Sequence, residues 1–148
     1  MHADKILFPT DFSPASEDAL SWATALARDS GATLSIVHVE EPPMAYGGGE
    51  MYIALDEEET KGELRRMLGN VVPTDHHVPF EHRLLVGDPA SAIVEEAEKE
   101  NADLIVMGTH GRTGLSRLLM GSVAEAVVRR AKCPVLTVKH PAEVPAGA

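Results

Sequence analysis

The chain has 148 residues, 44% hydrophobic and 24% charged, which is the make-up of a single globular domain long enough to bury a core unaided. One cysteine, Cys133, excludes an internal disulfide framework and suits a reducing compartment, and a formal charge of −10 argues against general nucleic-acid binding, where cation–phosphate contacts dominate affinity. The first apolar run is only Ile6-Leu7-Phe8, too short for a signal-peptide core, and no run nears the ~18 residues of a membrane helix, so a cytoplasmic protein without membrane attachment is expected.

Lys5 to Phe8 is an apolar run halted by Pro9 and reads as a buried strand. Ser13-Pro14 then opens a helix, with Ser13 as N-cap and Pro14 at the first helical position. Ala19, Trp22, Ala23, Leu26 and Ala27 recur at helical spacing, which predicts that Trp22 packs on a sheet; Gly31 ends the helix. Thr33 to Val39 alternates and is β-branched, a second strand. Glu40 to Glu50 holds Pro42, Pro43 and three glycines and reads as a mobile connection or lid.

A helix is expected over 51–69, a third strand over Phe80–Val86, and a proline-started helix from Asp88-Pro89 to about Glu100, closed by Asn101. Asp103 to Met107 is a fourth strand, Ser122 to Ala131 a helix, and Pro134 to Val138 a fifth strand. Residues 1–140 thus form one domain, and the tail 141–148 reads as flexible. Strands alternating with helices imply an α/β fold, a parallel sheet with helices on both faces. Ligands in such sheets bind beyond the carboxyl ends of the strands, where strand order reverses.

The segment after the fourth strand is punctuated by Gly108, Gly111, Gly114 and Gly121 and runs into Ser122. Glycines let backbone amides converge on an anion, and a helix N-terminus adds unpaired N–H groups and a positive dipole end. The Ser122 hydroxyl can donate to a phosphate as well as cap the helix. No G-x-x-x-x-G-K-[ST] or G-x-G-x-x-G occurs, which excludes two familiar phosphate-binding loops. Charge points the same way. Residues 1–106 carry seven basic and 21 acidic side chains, whereas 107–140 carry six basic and one acidic. Arg129, Arg130 and Lys132 suit a helix C-terminus; Arg112 and Arg117 lie in the glycine segment.

The spacing Gly108-x2-Gly111-x9-Gly121-Ser122 resembles the G-x2-G-x9-G-[ST] signature of the universal stress protein family, ATP-binding subtype. Pro9-Thr10-Asp11, Val86-Gly87-Asp88-Pro89 and Cys133-Pro134-Val135-Leu136 resemble three further elements of that family, in order, over roughly residues 3–139. The resemblance implies an open five-stranded parallel sheet ordered 3-2-1-4-5, adenine nucleotide alpha hydrolase-like. It also implies ATP or another adenine nucleotide as ligand, with magnesium. By position, adenine would lie near Pro9, Thr10, Asp11 and Val39; Met107 and Gly108 would flank the ribose. Gly111, Arg112, Gly121, Ser122 and Val123 would surround the phosphates, His110 would lie within reach of them, and Gly87 would line the wall.

Asp11 also reads as a turn residue helping Ser13 cap the helix. His76, His77 and His82 lack the spacing and second ligand set of a zinc site, so no metal site is assigned, and Cys133 reads as an inert small residue. The leading functional reading is a nucleotide-dependent sensor or regulatory module in the stress response. The alternatives are a slow metal-dependent ATPase, since efficient phosphoryl transfer needs an oriented nucleophile and no base is evident, or an interaction module whose nucleotide is incidental. The last strand lies at a sheet edge in the resembling family, so a homodimer through Pro134–Val138 is expected, with a proline at Leu136 shifting it to monomer.

Overall fold

The computed structural model describes residues 2–42, 50–109 and 120–139, and of 50–57 the backbone alone. The connection at 43–49, most of the glycine segment (110–119) and the tail from 140 lie outside the described residues. The elements run β1 (Lys5–Pro9), α1 (Pro14–Ser30), β2 (Thr33–Glu40), α2 (Glu50–Gly69), β3 (Phe80–Val86), α3 (Pro89–Lys99), β4 (Leu104–Gly108), α4 (Ser122–Arg130) and β5 (Val135–Val138). All strand pairs are parallel and the order is β3-β2-β1-β4-β5. The expected elements are all present, with ends displaced by a residue or so.

Strand β1 is central, and its side chains alternate between the two faces. Ile6 and Phe8 enter a cluster with Ala19, Ala23 and Ala27 of α1 and Leu68 of α2. Leu7 enters another with Ile93 and Ala97 of α3 and Ala124 and Val127 of α4. Helices α1 and α2 therefore cover one face, α3 and α4 the other. The chain crosses from one side of β1 to the other between β3 and β4, and the strand order reverses between β1 and β4.

Helix α1 begins as expected: Ser13 is its N-cap, accepting from the Ser16 N–H at 3.3 Å, and Gly31 closes it in the left-handed conformation. Its buried row is Ala15, Ala19, Ala23 and Ala27, small residues that let the helix lie close on the sheet. Trp22 contradicts the sequence expectation, being 57% exposed. It stands one residue, about 100° of helix turn, from Ala23, and the alanine row leaves no depth for an indole. The end of α3 also differs: Glu100 is the C-cap, and Asn101 is the left-handed residue after it, at φ 55°.

The fifth strand is at the sheet edge. The Pro134 and Val138 carbonyls accept from Ile105 and Thr109 of the β4 side, each at 3.0 Å. Backbone groups alternate along a strand, so Leu136 also faces β4 while Val135 and Thr137 turn their N–H groups to the open edge. A proline at Leu136 would break the sheet itself; position 137 is the one that reports on the edge.

The starts of the two strands at the reversal are tied by Asp103, whose Oδ2 accepts from the Asp4 N–H at 2.8 Å and the Lys5 N–H at 3.2 Å. The Asp4 amide first, then that of Lys5, holds the Asp103 carboxyl below the ordinary aspartate range. Because the folded value is depressed, this stabilisation is complete above the ordinary aspartate pKa of about 4 and fades as pH falls through the folded value. Asp103→Asn is expected to flatten the acid limb of a plot of urea midpoint against pH, most visibly between about pH 5 and 3; an unchanged limb would show that the bond contributes nothing.

Candidate functional site

The loop after β1 is locked by its own hydrogen bonds. Thr10 donates its N–H to the Val37 carbonyl at 2.8 Å, and its Oγ1 accepts from the Phe12 N–H at 3.0 Å. Asp11 Oδ1 accepts from the Ser13 N–H at 3.0 Å and from Ser16 Oγ at 2.7 Å. Asp11 thus acts in the entry to α1, the structural one of its two readings, and it presents a fixed backbone at the crevice. Phe12 holds φ 66°, an uncommon conformation for an aromatic residue. Its ring lies 4.4 Å from that of buried His38, whose Nδ1 is 2.7 Å from the Thr10 carbonyl oxygen. No spacing in the sequence signals this His38–Phe12–Thr10 clamp, because its members lie on different strand ends.

At the same carboxyl edge, Val39 from the end of β2, Met107 from β4 and Val123 from α4 all pack against the cluster on the α3/α4 face. Pro9 alternates with Phe8 and so shares that face with Leu7. Gly87 follows β3 at φ +140°, where side chains are strained, and its N–H donates to the Glu40 carbonyl at 3.0 Å. These residues all lie at the carboxyl ends of the strands, beside the point where strand order reverses.

The polar end is made by α4. Gly121 is its N-cap, with no side-chain cap hydrogen bond, and its N–H donates to the Thr109 carbonyl at 2.6 Å. That bond seats the start of α4 against the end of β4. Ser122 is the first helical residue and exposed. It does not cap the helix, contrary to the sequence expectation, because the cap position falls on Gly121. Among the described residues no N-cap side chain takes up the first-turn amides, an arrangement suited to an anion. His110, Gly111, Arg112, Gly114 and Arg117 lie outside the described residues.

Gly108 has a packing role the sequence does not reveal. A Cβ there would come within 3.1 Å of the Ala15 backbone at the start of α1. Gly108 faces α1, whereas its neighbour Met107 faces the crevice side. Three of the other basic residues are engaged elsewhere: Arg129 pairs with Glu125, Arg130 donates to Ser91 Oγ at 3.1 Å, and Lys132 meets Glu98 at 2.7 Å. Cys133 is half-buried, and burial pushes its thiol pKa up, in keeping with an inert thiol.

Residues 2–139 match the family model described as Universal stress protein family. The chain belongs to the universal stress protein family. It is 42% identical to universal stress protein MJ0531 of Methanocaldococcus jannaschii over 142 residues, 93% of this chain and 82% of the relative. Among solved structures it resembles that of MJ0577 from the same organism, with a TM-score of 0.78 and 32% identity over 97% of this chain and 100% of the other. It also resembles a universal stress protein solved in complex with cAMP, with a TM-score of 0.63 and 30% identity over 95% of this chain and 100% of that one. No described helix is long and apolar enough to cross a membrane.

Two glycines of this family member should respond oppositely to one methyl group. Gly108→Ala must displace the Ala15 backbone and is expected to cost about 1–3 kcal/mol in urea unfolding. Gly62→Ala, inside α2 with open space around it, is expected to stabilise by up to about 1 kcal/mol. Equal effects would mean that α1 does not press on Gly108.

Proposed function

We propose that this protein binds an adenine nucleotide, ATP foremost, in the crevice beyond β1, β2 and β4, and acts as a nucleotide-dependent regulatory module. The observation that carries this reading is the start of α4. It is a glycine-capped helix N-terminus seated on Thr109, with Val39, Met107 and Val123 forming an apolar wall on the same face. An apolar slot beside an anion-accepting terminus matches the two ends of a nucleotide, a flat base and a phosphate chain. The relative solved with cAMP supports an adenine ligand.

In this reading Pro9, Thr10, Asp11 and Val39 border the base, Asp11 through backbone groups that the β1 loop holds still. Met107, Gly108 and Gly87 border the ribose and wall. The amides of Gly121, Ser122 and Val123 receive the phosphates, joined by His110, Gly111 and Arg112 from the glycine segment. Magnesium fits the chemistry of that end, since the Ser122 hydroxyl and phosphate oxygens are hard ligands. The locked Asp11 carboxylate favours a binding module over an ATPase: its Oδ1 is already engaged by Ser13 and Ser16, which leaves it poorly placed as a base.

The homodimer through the last strand belongs to the same proposal. The outward N–H groups of Val135 and Thr137 and the uncharged, half-buried Val135, Leu136 and Thr137 support pairing of two copies at this edge.

Nucleotide released from denatured, freshly purified protein and identified by mass spectrometry is expected to be an adenine nucleotide. Gly121→Ser separates ligand from fold. A serine cap would occupy the first-turn amides, steadying the helix by a few tenths of a kcal/mol while weakening ATP binding about tenfold, the worth of one charge-assisted hydrogen bond. Calorimetric titration and thermal unfolding measure the two; unchanged affinity would move the phosphates away from α4. In sedimentation, wild type should be dimeric at micromolar concentration and Thr137→Pro monomeric but folded. A monomeric wild type would end the dimer proposal.

A further inference from the structure

At the opposite end of the sheet, the turn between α2 and β3 brings three metal-ligating groups together. One donor atom each from Asp75, His76 and His77 lies within 4.8 Å of the others. Asp75 Oδ1 and His77 Nδ1 are already 3.0 Å apart, and the two imidazole rings are 4.1 Å apart. We propose that Asp75, His76 and His77 form a binding site for a transition-metal dication of the Zn2+ or Ni2+ kind.

The turn is built to hold these groups. The Val78 N–H closes it on the Asp75 carbonyl at 3.2 Å, and the His77 N–H donates to Asp75 Oδ1 at 2.9 Å. On either side Pro73 and Val78 are buried, and the Thr74 N–H donates to Thr24 Oγ1 of α1 at 3.2 Å. The backbone under the three ligands is thereby anchored to α1 and the core, while His76 and His77 are exposed. Ligands about 2.0–2.1 Å from a tetrahedral metal stand about 3.4 Å apart. The Asp75–His77 pair is near that separation, and a side-chain rotation of exposed His76 supplies the third donor. A metal ion held by His77 Nδ1 and Asp75 Oδ1 replaces the contact between those two atoms, and the neutral imidazole then carries its one proton on Nε2.

Two imidazoles and one carboxylate select a borderline transition metal over Mg2+ or Ca2+, which prefer all-oxygen shells. His82, the neighbour in sequence, takes no part, because its Nε2 is 2.7 Å from the Val71 carbonyl oxygen. Among the described residues Arg28 opposes the site: its Nη1 lies 3.8 Å from Asp75 Oδ2 and places a positive charge beside it. The turn precedes β3, and the nucleotide crevice follows the strands, so about 20 Å of sheet separates them. This site is independent of any magnesium carried by a polyphosphate.

The test is calorimetric titration of tag-free, EDTA-stripped full-length protein with ZnCl2 and NiCl2 at pH 7.5, without nucleotide. Saturable binding of one equivalent is expected. His76→Ala and His77→Ala should each weaken it about tenfold or more, and Arg28→Gln should tighten it about two- to fivefold by removing the like charge. In heteronuclear NMR, Ni2+ should broaden the ring signals of His76 and His77 and the Val78 amide first. Absence of saturable binding below about 1 mM would overturn the proposal. So would binding that survives in a His76→Ala/His77→Ala double variant, which would place the metal on His2, His110 or His140. An unchanged affinity in Arg28→Gln would remove Asp75 from the ligand set.

Discussion

Strand β1 is the element on which the rest depends. It is flanked by β2 and β4, and Ile6, Leu7 and Phe8 are wholly buried. A parallel strand buried on both faces is apolar where it is buried, and this one is from Ile6 to Pro9, with Lys5 at its partly exposed start. It also has to release the chain at the point where strand order reverses. The loop Thr10–Ser13 therefore emerges at the one place in the sheet edge where neighbouring connections diverge and leave a crevice. Asp103 holds the other end of the same pair, 99 positions along the chain from Asp4.

The two faces of the sheet divide the work at that edge. On one face, Gly108 permits close approach of α1, whose alanine row sets the spacing. On the other, Val39, Met107 and Val123 supply apolar surface at the carboxyl edge. Because β4 alternates, Met107 and Gly108 serve opposite faces although adjacent in sequence. A glycine-rich signature is then not one device. Its first member answers to helix packing, and Gly121 answers to the seating of α4 on the Thr109 carbonyl.

Much of this was legible in the residues because local rules govern it. Ser13-Pro14 and Asp88-Pro89 cap the helices they announce, and the alternation of strand and helix dictates parallel pairing. Where local reading failed, the deciding distance was a tertiary one. Helical spacing puts Trp22 in register with Leu26, but the depth available under α1 is set by Ala19, Ala23 and Ala27 against β1 and β4, and it excludes an indole. Ser122 has the right chemistry for a cap, yet the Gly121–Thr109 bond moves the cap back by one residue.

Sequence by itself determined the fold class, the five strands and the family, since each follows from periodicity, turn chemistry or motif spacing. Tertiary structure alone decided which side chains meet across long separations. Phe12 packs its ring against that of His38, and Lys5 pairs with Glu81 and Glu100 while Ser35 donates to the same Glu100 carboxylate. Asp75 turns toward Arg28 on one side and His77 on the other. These meetings depend on strand register and on which face each helix covers. Both are set by the burial of the whole sheet, which no short stretch of sequence encodes.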